Sequence, residues 1–442
     1  MTTDEPTTKI LLTGQCTLHW GRMEFGNIGN YYVLEPLVRG IHAAVPNAVI
    51  ETTFQLSKRF CDKENVRCIP MDLYYGWTGN DLNNAEDELT QAENTESNSN
   101  QGTYLRAVSE ADLVVDYSGD MWGANADFLG PSRFKVGLLR DRIPQVLGKP
   151  TAMLAGSPGP FPHTEDLALA QLTYSNFDLV TIREPCSREV LSTAGFDTTR
   201  TFDAACPAWL FEPAADDHSQ ELLRKAKRLA DGRKLVAVML CGWNFPKGPF
   251  DRWPRKADEF QNFAKLIRHL SLERDCLPVL ISHSNGFDPK ATDFSLTHGR
   301  DFPIMQALAQ TAQHQTPDIP LMLIEQVLEP WQTKYILGAC DFVVSGRIHG
   351  AVAALSQSVP TMIIDYGHEP KAHKVRGFAD ICGMQEHIVT PTEDLTAGFD
   401  RLLGQSAAIT KHLQKDIPRV KKLAKKSFEM LTALCEQQTT LK

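Results

Sequence analysis

The stretch ACDFVVSGRIHGAVAALSQSVPTMIIDYG, Ala339 to Gly367, decides the fold. Phe342 to Ser345 is apolar and partly β-branched without polar alternation, as expected of a strand covered on both faces. Gly346 to His349 then reads as a tight turn, Gly350 to Gln357 as a helix of small residues, and Thr361 to Tyr366 as the next strand. Strand, turn, helix, strand is the repeating element of a parallel sheet. Arg347 and His349 thus fall at the carboxyl end of a parallel strand, where open α/β sheets place ligands. A helix opening near Gly350 turns backbone N–H groups and the positive end of its dipole toward any anion there. Arg347 adds a fork suited to carboxylate or phosphate, and His349 a group that exchanges protons near neutral pH. A plainer account pairs Arg347 with a surface carboxylate and makes His349 a helix cap. The Gly-Arg-x-His-Gly setting favours a functional site, but periodicity does not separate binding from catalysis.

The same alternation extends outward in both directions. Short β-branched runs followed by helical patterns recur at Lys9 to Thr13, Asp112 to Tyr117, Pro150 to Ala155, Leu179 to Ile182, Leu235 to Leu240, Val279 to Ser282 and Thr361 to Asp365. A composition break at Phe211 to Asp231 precedes the fresh strand LVAVML, so the expected boundary lies there. The predicted architecture is α/β, with two Rossmann-like domains facing a central cleft and a C-terminal helical segment. The expected ranges are 1–215, 232–390 and 391–442.

Within the first range, residues 79–103 are rich in Asn, Glu, Gln and Ser and are expected to form a mobile surface insertion. Near the end of the chain, apolar residues at 413, 417, 420, 423, 428, 431 and 434 follow helical spacing, interrupted at Pro418. The opposite face carries Lys415, Arg419, Lys421, Lys422, Lys425 and Lys426, the pattern of a packed helix with a solvated face. The functional alternative is attraction to an anionic membrane surface or to a phosphorylated, lipid-linked substrate, which matters only if the substrate is lipid-borne.

Composition excludes several classes. The 442 residues hold 45 Lys and Arg against 54 Asp and Glu, a formal net charge of -9, which gives no overall field for nucleic acid. The start, MTTDEPTTKI, is acidic where a secretory signal would be basic and then apolar. No run approaches the roughly 18 apolar residues of a spanning helix, so no transmembrane segment is expected. Ten scattered cysteines with no CxxC pair suggest reduced thiols and a cytoplasmic setting.

The segment from Ser345 onward resembles the polysaccharide pyruvyl transferase family. That family's C-terminal signature is matched by Ser345, Arg347, His349, Ala353 to Leu355, Val359-Pro360, Tyr366, Lys374 and Gly377-Phe378. Earlier elements follow in the family's order: Asn27-Ile28-Gly29-Asn30, Asp112 to Gly119, and Gly148-Lys149-Pro150 leading to Gly159-Pro160-Phe161. Thr181 to Glu184 with Ser187, Leu191 and Gly195, and then Asp203-Ala204, complete a similarity from about Gly14 to Met384. Asn30 stands where the family carries an acid. The segment GHEPKAH before Lys374 is longer and more basic than the family's, and leaves the lysine role open between Lys371 and Lys374.

The resemblance implies transfer of a pyruvyl group from phosphoenolpyruvate to two sugar hydroxyls, with release of phosphate. The partners are then a small-molecule donor and a saccharide acceptor, free or lipid-linked, with a peripheral station at the inner membrane face in the lipid-linked case. On this basis His349 and Arg347 are the expected catalytic residues, and Arg183, Ser345, Gly350 and Lys374 the donor contacts, with Lys247 in reserve. Asn27, Gly29, Trp243 and Asn244 are the expected acceptor contacts, the last two placed after the LVAVMLCG strand where His283-Ser284-Asn285 similarly follow VLIS. No cofactor and no metal are expected, since no HExxH-like spacing occurs. The competing functions are a GT-B-type glycosyltransferase using a nucleotide sugar and a non-catalytic sugar-binding relative, because a shared architecture does not fix chemistry.

Overall fold

In the computed structural model, residues 7–15, 26–69, 80–94, 102–245, 254–287, 295–366 and 372–440 are described. The chain divides into two units. Unit 1 comprises Met1–Met23, Glu35–Pro207 and Lys422–Lys442, and unit 2 comprises Glu24–Leu34 and Ala208–Lys421.

Unit 1 is built on seven strands: β1 (Thr8–Thr13), β2 (Ala48–Thr52), β3 (Val66–Cys68), β4 (Leu113–Asp116), β5 (Thr151–Gly156), β6 (Leu179–Ile182) and β7 (Thr201–Asp203). They lie in the order β3-β2-β1-β4-β5-β6-β7 and every neighbouring pair is parallel. In unit 2 the strands are β8 (Lys234–Met239), β9 (Cys276–Leu280), the antiparallel pair β10 (Asn285–Phe287) and β11 (Leu296–His298), then β12 (Met322–Leu323), β13 (Phe342–Ser345), β14 (Thr361–Ile364) and β15 (Ile388–Val389). Its main sheet runs β12-β9-β8-β13-β14-β15, again all parallel. Each main sheet reverses its winding once, at β1/β4 and at β8/β13. Those are the switch points outside which α/β sheets bind ligands. The continuous apolar runs are explained by burial: all four residues of both β4 and β13 are buried, as are five of the six in β8.

Several expectations are corrected. The division of the chain is not at 215 to 232 but at Pro207/Ala208, and it is discontinuous. The C-terminal helices expected as a separate segment over 391–442 are one helix, Leu395–Thr440, shared between the units at Lys421/Lys422. Its buried stripe, Leu402, Ile409, Leu413, Ile417, Val420, Ala424, Phe428 and Leu431, keeps a helical period throughout. Pro418 does not interrupt it, because that residue lies on the exposed face, where water can take up the carbonyl it leaves unbonded. The basic face is partly neutralised: Arg419 pairs with Asp416 at 2.7 Å and Lys421 with Glu212 at 2.9 Å.

Residues 79–103 are not a structureless insertion where they are described. Asp81–Glu93 is a helix with Leu82, Ala85, Leu89 and Ala92 on its packed side, anchored by a buried Asp81–Arg133 ion pair at 2.8 Å. The apolar spacing was present but submerged in polar composition. The strand expected at Val279 to Ser282 begins earlier, at Cys276. Pro278 is tolerated inside it because it precedes the first residue paired with β12, Val279.

Candidate active site

The unit 2 switch point is assembled by three chain segments leaving β8, β9 and β13. After β8, Cys241 to Asn244 form a tight turn. The Cys241 N–H donates to Asn244 Oδ1 at 2.8 Å, and Asn244 Nδ2 reaches the carbonyls of Ile364 and Asp365 at 3.4 and 3.5 Å. Asn244 is fully buried, so its amide ties the ends of β8 and β14 rather than meeting an acceptor. Gly346, past β13, has no room for a Cβ because Asn244 Oδ1 occupies that space. Its N–H donates to the Met239 carbonyl at 2.7 Å. Ser345 is equally committed, its hydroxyl donating to the Arg347 carbonyl at 2.7 Å. Gly350 lets the small-residue helix Ile348–Leu355 close on β8 and β13, since a Cβ would lie 2.8 Å from Ser345 Oγ and 2.9 Å from Met239.

Arg347 begins that helix but turns its side chain inward. Nε and Nη2 donate to the two oxygens of Asp301 at 2.9 and 2.6 Å, a bidentate pair in which Asp301 is fully buried. Burial works against the guanidinium charge, and the Asp301 carboxylate more than compensates, holding Arg347 above the usual arginine range. Asp301 opens the helix Phe302–Gln315, and its N–H donates to Ser284 Oγ at 2.9 Å, in the segment after β9.

His349, on the same turn, is half-buried, with its ring edge-on to Phe378 at 5.7 Å. Residues 28–34 bring the start of the helix Ile28–Ala44 against it. A Cβ on Gly29 would lie 2.6 Å from His349 Cβ, so glycine is required there for close packing. Asn27 caps that helix, accepting the Gly29 N–H at 3.1 Å, and the Ile28 N–H donates to the His283 carbonyl at 3.3 Å. Asn30, in place of the expected acid, donates its N–H to the Asn27 carbonyl at 2.8 Å. Trp243 is nearly buried against Tyr366, with ring centres 6.4 Å apart, and Lys374 Nζ stands 5.6 Å from the same Tyr366 ring. Lys247 and Lys371 lie outside the described residues.

The structure therefore brings together Asn27, Gly29, Ser345, Arg347, His349 and Gly350, with Trp243 and Lys374 joined through Tyr366. Arg183 belongs to unit 1. There it follows β6, its Nε donating to Ser157 Oγ at 2.7 Å and its Nη1 to Tyr117 Oη at 3.0 Å, with Asp120 at 3.5 Å from Nη2. Sequence reasoning missed Asp301, 46 residues from Arg347. Only the helix-start pattern Asp301-Phe302-Pro303 marked its position, and nothing marked its partner.

Residues 27–368 match the polysaccharide pyruvyl transferase family, which is more than half of the chain. The chain belongs to that family. Membership makes it one of a family of transferases serving polysaccharide synthesis, and it agrees with the order of motifs from Asn27 to Tyr366. A relative within the curated proteins is the amylovoran biosynthesis protein AmsJ of Erwinia amylovora, 23% identical over 268 residues, 59% of this chain. The match spans 58% of that relative's length. Solved structures of similar fold are a putative UDP-N-acetylglucosamine 2-epimerase from Listeria monocytogenes (TM-score 0.57, 12% identity, 99% of this chain and 98% of that chain) and a glycosyltransferase from Rickettsia africae (TM-score 0.54, 11% identity, 98% and 99%). Anabaena Alr3699/HepE in complex with UDP is a third (TM-score 0.55, 12% identity, 97% and 100%). These likenesses establish the GT-B-like α/β fold for this pyruvyl transferase family member. Among the described residues, no helix is long and apolar enough to cross a membrane.

Proposed function

We propose that this chain moves the pyruvyl group of phosphoenolpyruvate onto two hydroxyls of a saccharide, closing a cyclic ketal in polysaccharide or glycoconjugate synthesis. The observation that carries this reading is the pairing, in a chain of this family, of an anchored Arg347 with a half-exposed His349 on one turn at the β8/β13 switch point. A guanidinium locked by Asp301 is already oriented before an anion arrives, so little side-chain entropy is lost on binding.

In the proposed reaction His349 protonates the enol methylene, leaving an oxocarbenium-like carbon stabilised by its oxygen. A first sugar hydroxyl attacks that carbon, and the bond from carbon to the phosphate-bearing oxygen then breaks. A second hydroxyl closes the ring. The two hydroxyls give up two protons: one replaces that lost by His349 to the methyl group, and one leaves with phosphate. Asn27 and Trp243 are kept as acceptor contacts and Lys374 as a donor contact. Gly29, Ser345, Gly350 and Asn244 shape the site through packing and backbone bonds. Arg183 is proposed, from the family resemblance, as a further anion contact. The scheme calls for no resident cofactor or metal ion. The acceptor is free or lipid-linked, and lipid linkage would bring the protein to a membrane face.

The fold neighbours that carry UDP favour a second reading, use of a nucleotide sugar. Thermal shift with phosphoenolpyruvate against UDP- and GDP-sugars separates the two, because a ligand at a hundredfold excess over Kd stabilises by about 2.7 kcal/mol. Stabilisation by nucleotide sugars alone would sink the pyruvyl reading. His349→Ala is expected to lower phosphate release by roughly 10²–10⁴-fold while donor binding persists.

A further inference from the structure

One buried polar group at the unit 2 switch point has no role in the scheme above. His283 follows β9 and is fully buried, with its ring edge-on to Tyr32 at 5.5 Å. Neither Nδ1 nor Nε2 has a hydrogen-bond partner among the described residues. Its backbone is fixed on both sides: its carbonyl accepts the Ile28 N–H, and the next residue, Ser284, holds the N–H of Asp301. The residue is thereby fixed in the segment that meets Asp301, the partner of Arg347, close enough for the Arg347 charge to act on its imidazole. Burial, helped by the positive charge of Arg347, pushes its pKa down to about 3, so it is neutral at working pH.

Buried imidazole nitrogens are normally satisfied, and each orphan costs roughly 1–3 kcal/mol. A second fact gives the orphan a use. Two of the three guanidinium nitrogens of Arg347 are spent on Asp301, so that ion pair is close to neutral and only Nη1 lies outside it. An anion at this place needs another N–H donor, and a neutral imidazole carries one.

The geometry points to His283 as a donor-binding residue that gives its ring N–H to an anionic oxygen of the phosphorylated donor, next to Arg347. This rests on the assignment of phosphoenolpyruvate to this site. The donor is then recognised here by directed N–H groups more than by net positive charge. One ring nitrogen donates and the other is left to accept a proton-bearing group, as a neutral imidazole allows. Phosphate and carboxylate oxygens share the required chemistry, and the experiment tells them apart.

The test measures Kd for phosphoenolpyruvate, inorganic phosphate and pyruvate with the full chain and with His283→Phe, His283→Gln and His283→Asn. His283→Phe is expected to weaken phosphoenolpyruvate binding by about tenfold or more. Its unliganded thermal midpoint should be unchanged or higher, because two orphaned nitrogens are replaced by carbon. His283→Gln, which restores an N–H, should recover binding to within about threefold. A parallel loss for phosphate assigns the contact to the phosphoryl group, and a parallel loss for pyruvate assigns it to the carboxylate. Should His283→Phe fail to fold, the Gln and Asn variants place the N–H at two reaches, and equal Kd values for both and for the parent protein overturn the proposal. Unchanged phosphoenolpyruvate binding in a folded His283→Phe also overturns it, with the donor assignment intact. If the parent protein binds a nucleotide sugar and no phosphoenolpyruvate, the donor assignment falls and this inference with it.

Discussion

Arg183 and Arg347 each stand just past the carboxyl end of a parallel strand, Arg347 beside the switch point of its sheet and Arg183 two strands beyond the switch point of the other, and they are neutralised differently. Arg347 is clamped by both oxygens of Asp301, which has no exposure at all. Arg183 is held mainly by hydroxyls, those of Ser157 and Tyr117, with the partly exposed Asp120 at 3.5 Å. A buried cation with one full counter-charge is a preformed ion pair, and breaking it leaves a charge without compensation. Hydroxyl oxygens bring no counter-charge, and a longer, partly wet carboxylate contact is weaker than a short buried one. An arginine at a strand end is thus locked by a short buried carboxylate pair in unit 2 and held by hydroxyls with a longer carboxylate contact in unit 1.

The largest effect that tests this contrast compares two near-isosteric changes. Asp301→Asn removes the counter-charge of Arg347 without opening a cavity and is expected to cost about 3–5 kcal/mol of stability. Asp120→Asn, at a longer and partly wet pair, should cost under about 1 kcal/mol. Urea unfolding of both variants reads the difference. Equal losses would mean that the two arginines are neutralised alike.

A smaller effect comes from the carboxyl next to Arg183. Glu184 is buried and bonds the Ser187 N–H at 3.1 Å, and burial pushes its pKa up to about 7 despite that bond and Arg183. Its folded pKa lies above the ordinary value, so the folded state holds the proton more tightly. Its contribution to stability is full at low pH and is lost as pH rises toward and through about 7. Glu184→Gln removes this dependence while keeping an acceptor for Ser187. Relative to the parent protein, the variant should gain on the order of 2 kcal/mol between about pH 5 and about pH 8. A parent-to-variant difference that stays flat over that interval would show that Glu184 is ionised in the fold.

The contrast between the arginines was only half visible in the sequence. The β-branched runs LVAVML and FVVS announced β8 and β13, because strands buried on both faces need continuous apolar residues. The turn carrying Arg347 and His349 followed directly from them. The two-residue strands β12 and β15 left no pattern, since two residues cannot show a period. Asp301 was hidden for a different reason, and of His283 only its place after β9 was legible. Their roles come from packing across β9, β8 and β13, and neither a local motif nor a composition shift encodes which buried acid meets which arginine. The helix Asp81–Glu93 was missed because Asn and Glu dominate it, although Leu82, Ala85, Leu89 and Ala92 carry the period that packing uses.

The smallest expected effect concerns the glycines that abut each cluster. Gly119 adopts φ +59° beside Arg183, with a Cβ position 3.3 Å from Nη2, so the cost of Gly119→Ala is mainly backbone strain of about 1–2 kcal/mol. The arginine end is flexible enough to give by a few tenths of an ångström, and phosphate release should stay within about threefold. Gly29→Ala meets the root of His349 at 2.6 Å, where Cβ cannot yield without moving the helix Ile348–Leu355. Overpacking of that kind costs about 1–3 kcal/mol, partly offset by the better helix propensity of alanine. Its net stability loss should therefore resemble that of Gly119→Ala, but the displaced imidazole should lower phosphate release by about tenfold or more. Matching stability losses with diverging rates would locate the reacting proton at His349. Equal rates in the two variants would leave Gly29 a packing residue and remove the reason for placing the acid on that turn.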